Sequence, residues 1–341
     1  MSTRAVATVS SLLGSSLMLC HVVFAQQRGP SPPQGLREVT VTAIPGVVAA
    51  GAKWQLAWQG TDNADGIVGT AEGGVLFAQE QPHQVSQLDK DDHRSIFLKD
   101  THGAGSLTID AVGRIIAVER TCTDPGRQGS GASAAPCLEP TAVAILTPER
   151  KVMADNFEGK PLGRLNDLVA DKRGGVYFTV GSAYYANPAG TVTSLGDNIR
   201  ANGIMLSPDE KIIYLTNGGV ILAFDVQSDG TVKNRRDFGT LEAGGAGDGM
   251  AIDADGRLYV TSDPGIQVLS PEGKFLGVIP TPRSAISVAF SGPDKRTLYV
   301  VGSGALGPDG KEFTTPEGVR NNAKTIYKLP MQAQGFKGRV K

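Results

Sequence analysis

A short hydrophobic strand introduced by a Gly- or charge-marked turn recurs six times along this 341-residue chain: GGVLFAQ from Gly73, GRIIAVE from Gly113, GGVYFTV from Gly174, KIIYLTN from Lys211, GRLYVTS from Gly256 and RTLYVVG from Arg296. Successive starts lie 40, 61, 37, 45 and 40 residues apart. A four-stranded β-propeller blade has a period of about 40 to 50 residues, so the repeat predicts an all-β, six-bladed β-propeller. Such a fold collects equivalent residues of every blade around one central channel. A position in the repeat therefore becomes a position in a ring.

A second apolar run precedes each of these strands, opened by a polar or small residue at nearly constant distance. Asp65 precedes Leu76, Asn166 precedes Tyr177 and Asp248 precedes Tyr259 by 11 residues each, while Asn202 precedes Tyr214 and Ser287 precedes Tyr299 by 12. The second repeat offers only Gly105 and Ser106. Each unit reads as an inner strand, a DxxG or PDxK hairpin turn and the next strand. Turn chemistry alone accounts for Asp255-Gly256, Pro208-Asp209 and Pro293-Asp294. The residue entering each inner strand faces the channel, which places Asp65, Asn166, Asn202 and Asp248 in one ring.

Two carboxylates and two amide oxygens form a hard, all-oxygen donor set. It suits one divalent ion, calcium first, with magnesium, manganese or zinc as alternatives. Singly, an Asn or Asp ahead of a strand also serves by bonding nearby backbone; the shared offset is what argues for convergence. His83, His93 and His102 form no zinc-site spacing, no phosphate-binding glycine loop leads into a helix, and the run from Gly131 to Ala135 lacks the context of a nucleophile elbow.

Forty-four glycines and 6% aromatic residues fit many tight turns. The net charge of -1 argues against nucleic acid as a partner. Residues 1–25 read as a secretory signal, with Arg4 as its charge, an apolar stretch to Phe24 and a small-residue cleavage site at Ala25. The mature chain is then exported, periplasmic or secreted, with no membrane partner. A Gln/Pro-rich disordered tail follows over 26–38, and the propeller over 39–341. The longest interval between repeats carries Cys122 and Cys137. In an oxidising compartment these two staple the insertion at 122–137 with one disulfide.

RLNDLVADKRGGVYFT, ANGIMLSPDEKIIYLTN, GDGMAIDADGRLYVTS and SVAFSGPDKRTLYV resemble successive blades of the SMP-30/gluconolactonase family of calcium-dependent six-bladed propellers. The resemblance implies that Asn166, Asn202 and Asp248 surround the metal and that Arg164, two residues ahead of Asn166, helps hold the substrate. Where the family has Glu-Gly-Pro-Val-Trp, this chain has Asp65-Gly66-Ile67-Val68-Gly69, and the family's Asn-Gly-Leu of the second blade is Gly105-Ser106-Leu107. Glu72 falls in a hairpin turn and reads as structural.

The activity expected is metal-assisted hydrolysis of a lactone, with Asp248 as ligand and base, Asn166 orienting substrate or water, and Arg164 binding a substrate hydroxyl or carboxylate. Aryl esters or phosphotriesters suit the same centre. A metal-stabilised propeller that only binds a ligand is the alternative outside enzymology.

Overall fold

The computed structural model describes residues 1, 35–120, 140–316, 321–339 and 341; the signal segment after Met1, and Cys122 and Cys137, lie outside them. The described residues form strands β1–β26 in chain order and no helix. Twenty-four of these strands make six antiparallel sheets of four, the six blades read from the repeat. The inner strands are β2 (Ile67–Gly69), β6 (Ala104–Ile109), β12 (Leu168–Ala170), β16 (Ile204–Leu206), β20 (Met250–Ile252) and β24 (Ala285–Ser291). Each touches the next around the circle, and β24 returns to β2. Five blades use consecutive strands. The sixth runs β24, β25 (Thr297–Ser303), β26 (Lys324–Pro330) and then β1 (Gln55–Gly60), so the first strand closes the ring on the last blade.

Alternation along the strands explains how the blades stick together. In β16, Ile204 and Leu206 face the third blade's Val169 and Tyr177, whereas Met205 faces the fifth blade's Met250 and Leu258. Every blade interface has such a cluster. Both faces of each sheet are therefore buried, which is why the inner and second strands read as continuous apolar runs.

At the far end of the inner strands the DxxG turns are built on buried aspartates. Asp171 accepts from the backbone N–H of Arg173 and Gly175 and from the Tyr185 hydroxyl, and Asp253 accepts from the N–H of Asp255 and Arg257 and from the Tyr259 hydroxyl. Gly113, Gly174 and Gly256 close these turns with φ of 84°, 87° and 83°, a conformation glycine adopts without a steric penalty.

Two terminal segments pack on this frame. Residues 36 and 37, assigned by sequence to the tail, are bonded to the sixth blade: Leu36 N–H donates to Glu312 and Arg37 N–H to the Pro282 carbonyl. The ordered body thus begins before residue 39. The C-terminal segment crosses the turn end of the channel, with Gly335 bonded to Lys295 and Phe336 to Ile252. Further along, Arg339 donates to the carbonyls of Leu206 and Ser207 at 2.8 and 2.9 Å. Lys341 then reaches up to the Leu168 carbonyl at 2.7 Å and to the Asp167 carboxylate.

Candidate functional site

The four expected ring residues occupy one position of the blade. The N–H groups of Asp65, Asn166 and Asp248 donate to the carbonyls of Ala78, Thr179 and Thr261 on their second strands, at 3.1, 2.8 and 2.9 Å. In the fourth blade the N–H of Asn202 instead donates to the Thr216 hydroxyl at 2.9 Å. These threonines sit at equivalent places in YFT, YLT and YVT. Thr179 donates its hydroxyl to the Asn202 carbonyl at 2.6 Å and Thr261 to the Ile286 carbonyl at 3.2 Å, so each ties its own ring position to the next blade.

The glycine after a ring residue sets the blade spacing. A Cβ on Gly66 would lie 2.3 Å from Ser106 Cα, one on Gly203 2.0 Å from the Asp248 carbonyl oxygen, and one on Gly249 2.8 Å from the Ile286 carbonyl oxygen. Only a residue without a side chain lets neighbouring inner strands approach that closely. In the third blade Asp167 takes the glycine's place and uses its carboxylate as the spacer. Ser106 Oγ donates to it at 2.8 Å, the N–H of Ile204 at 3.2 Å, and Lys341 from below.

The first- and third-blade ring residues meet on a guanidinium. Arg120, fully buried at the end of β7 (Ile115–Glu119), donates Nη1 to Asp65 Oδ2 at 2.5 Å. Its Nη2 donates to the Asn166 carbonyl at 2.5 Å and to Asn166 Oδ1 at 3.2 Å, and its Nε to the Leu165 carbonyl at 2.8 Å. Glu80 stands 3.6 Å away. Burial acts to strip the proton from Arg120, but Asp65, Glu80 and Asp167 outweigh it and hold the charge more firmly than usual. Arg120 lies across Gly105, where a Cβ would come within 2.2 Å of Nε. That contact explains why the second repeat opens with Gly105-Ser106 instead of a polar ring residue.

The fourth and fifth blades present the opposite situation. Asn202 Oδ1 is buried with no hydrogen-bond partner. Asp248 has no ion-pair partner among the described residues, in contrast to Asp65 and Asp167. Burial, with the Asp65 and Asp167 carboxylates nearby, pushes the Asp248 carboxyl well above the usual carboxylate range, against the pull of Arg120. An orphaned amide oxygen and an uncompensated carboxylate on one side of the channel fit a hard divalent cation. Asn202 and Asp248 would hold it, water and substrate supplying the remaining oxygens.

Arg164 is exposed, two residues ahead of Asn166. Ser287 fills the sixth-blade position, buried against Gly249. Glu72 is exposed in the hairpin between β2 and β3 (Val75–Gln79). Asp89, Asp91 and His93 also come together, but on an outer hairpin, where Asp89 already accepts the N–H groups of Asp91 and His93. Sequence reasoning did not find Arg120, which belongs to no repeated position, nor Lys341. The recurrent YxT was a signal for Thr179, Thr216 and Thr261.

A model of the SMP-30/gluconolactonase/LRE-like region matches residues 137–304, a span that holds Asn166, Asn202 and Asp248 but not Asp65 or Arg120. A gluconolactonase from Zymomonas mobilis is 28% identical over 189 residues, 46% of this chain and 53% of that protein. The pentonolactonase XacC of Haloferax volcanii is 28% identical over 187 residues, 50% of this chain and 64% of that protein. The chain thus spans between half and two-thirds of these relatives' lengths. Among solved structures, a gluconolactonase from Xanthomonas campestris superposes with a TM-score of 0.67 at 20% identity, over 89% of this chain and 99% of that one, which establishes a shared fold.

Proposed function

We propose that this chain, whose residues 137–304 match the SMP-30/gluconolactonase/LRE-like model, hydrolyses a lactone, a sugar lactone or related cyclic ester, in a calcium-dependent reaction at the ring end of its channel. One observation carries the reading: Asn202 Oδ1 without a partner beside an Asp248 carboxylate without a counter-ion. The activities named for the relatives support the substrate class.

Asn202 and Asp248 would hold a divalent ion there, which would supply Lewis-acid polarisation of the lactone carbonyl and stabilisation of the charge on its oxygen. Asp248 takes a proton from the attacking water. Water oxygen bonds to the carbonyl carbon, the ring C–O bond breaks, and the former ring oxygen leaves as a hydroxyl after accepting a proton. The product is an open-chain hydroxy acid. Asn166 is held by Arg120 through both its carbonyl and Oδ1, which leaves its amide N–H groups to orient substrate or water. Arg164 offers a planar donor fork to substrate hydroxyls at the rim.

The test is turnover of a panel of sugar lactones, aromatic lactones and phosphotriesters by the wild type and by Asp248→Ala. Loss of the general base lowers kcat by about 10²–10⁴-fold, and the calcium-induced rise in Tm disappears in the same variant. Sugar lactones turning over normally without Asp248 would remove the proposed centre, and phosphotriesters as the best substrates would reassign the substrate class.

A further inference from the structure

We propose that Arg120 is a built-in cation of the channel and that Asp65 serves as its counter-ion instead of coordinating the metal, so that the ion is held on the Asn202–Asp248 side alone. Three independent features of the chain point to this. First, Asp65 Oδ2 is engaged by Arg120 Nη1 at 2.5 Å, and each nitrogen of that guanidinium has an acceptor at 2.5–2.8 Å. Second, the chain makes room for the side chain: Gly105 stands where any Cβ would strike Arg120 Nε, Cζ and Cδ at 2.2–2.5 Å, and Glu80, itself buried, supplies a second carboxylate. Third, an oxygen without a hydrogen-bond partner, Asn202 Oδ1, lies on the other side of the ring.

The donor sets agree with this division. A carboxylate shorter than Glu by one methylene reaches less far toward the axis, and Asp65 spends its reach on Arg120. Asn166 is drawn the same way, since its carbonyl and Oδ1 both accept from Nη2. Arg120 is thus a positioning residue: it fixes the first- and third-blade corner of the site by holding the Asn166 carbonyl and Oδ1.

Two measurements on the full chain test the proposal. In EDTA, the Tm losses of Asp65→Asn and Arg120→Met are compared with that of the double variant. The pairing predicts a double loss smaller than the two single losses combined, whereas strictly additive losses would overturn it. Calcium titration calorimetry then compares Asp65→Asn with Asp248→Asn. Since even outer partners of a metal ligand change affinity by about 10–100-fold, Asp248→Asn weakens calcium at least that much, while Asp65→Asn changes it by less than about threefold. Equal loss in both variants would make Asp65 a ligand and refute the proposal. The calorimetric arm rests on the metal reading above and the EDTA arm does not. A wild type blind to calcium, magnesium and manganese would sink that reading, and the thermal cycle would still decide the pairing. If Arg120→Met does not fold, the Asp65→Asn titration decides alone.

Discussion

A single methyl group at a ring glycine tests the packing of this site directly. Gly203→Ala places a Cβ 2.0 Å from the Asp248 carbonyl oxygen, whereas Gly219→Ala meets nothing closer than 3.5 Å. Overpacking of the first kind costs about 1–3 kcal/mol or more, so thermal unfolding should show a clear loss for Gly203→Ala and almost none for Gly219→Ala. Lys295, buried in the hairpin between β24 and β25, makes a pH-dependent prediction. Burial pulls its pKa down to about 8. The unfolded chain then binds more protons than the native one from pH 8 up to the ordinary lysine value, so stability rises with pH across that window. Lys295→Met is expected to raise Tm at pH 7 and to lose most of that advantage by pH 10. No difference between the two pH values would show that the ammonium is solvated. At this scale, Asp65, Asn166, Asn202 and Asp248 were legible because a constant offset marks them. Arg120 was not, because what places it in the channel is the space above Gly105 on the neighbouring strand, fifteen residues earlier in the sequence, and no repeated position marks that space.

At the scale of elements, hairpins and inner strands could be read directly, since turn residues and alternating burial are both local. The sixth blade's closure could not, because β1 pairs with β26 from the other end of the chain. The C-terminal segment has the same difficulty. Nothing in FKGRVK signals that Arg339 will bond the fourth blade and Lys341 the third. Its seating has an energetic consequence, because the Lys341 and Asp167 side chains are only 4% and 9% exposed. Removing one partner of a buried pair costs about 3–5 kcal/mol, as the other charge is left uncompensated. Lys341→Met should therefore lower Tm by several degrees, and it should disturb the Ser106 and Ile204 contacts that share Asp167. A Tm equal to that of the wild type would mean the ammonium does not support Asp167.

For the whole molecule, the closed circle of inner strands turns six copies of one strand pattern into a site with unequal sides. Around the channel, Asp65 and Glu80 share Arg120 and Asp167 holds Lys341, leaving Asp248 as the carboxylate still in want of a cation. The asymmetry comes from departures from the repeat: an arginine ending one second strand, a glycine opening one inner strand, an aspartate in place of a spacer glycine. The most direct measurement is anomalous diffraction from crystals grown with calcium. The account predicts one peak in the channel, on its fourth- and fifth-blade side, about 2.3–2.6 Å from Asn202 Oδ1 and an Asp248 carboxylate oxygen. A peak at the Asp89–Asp91–His93 hairpin with none in the channel would contradict it.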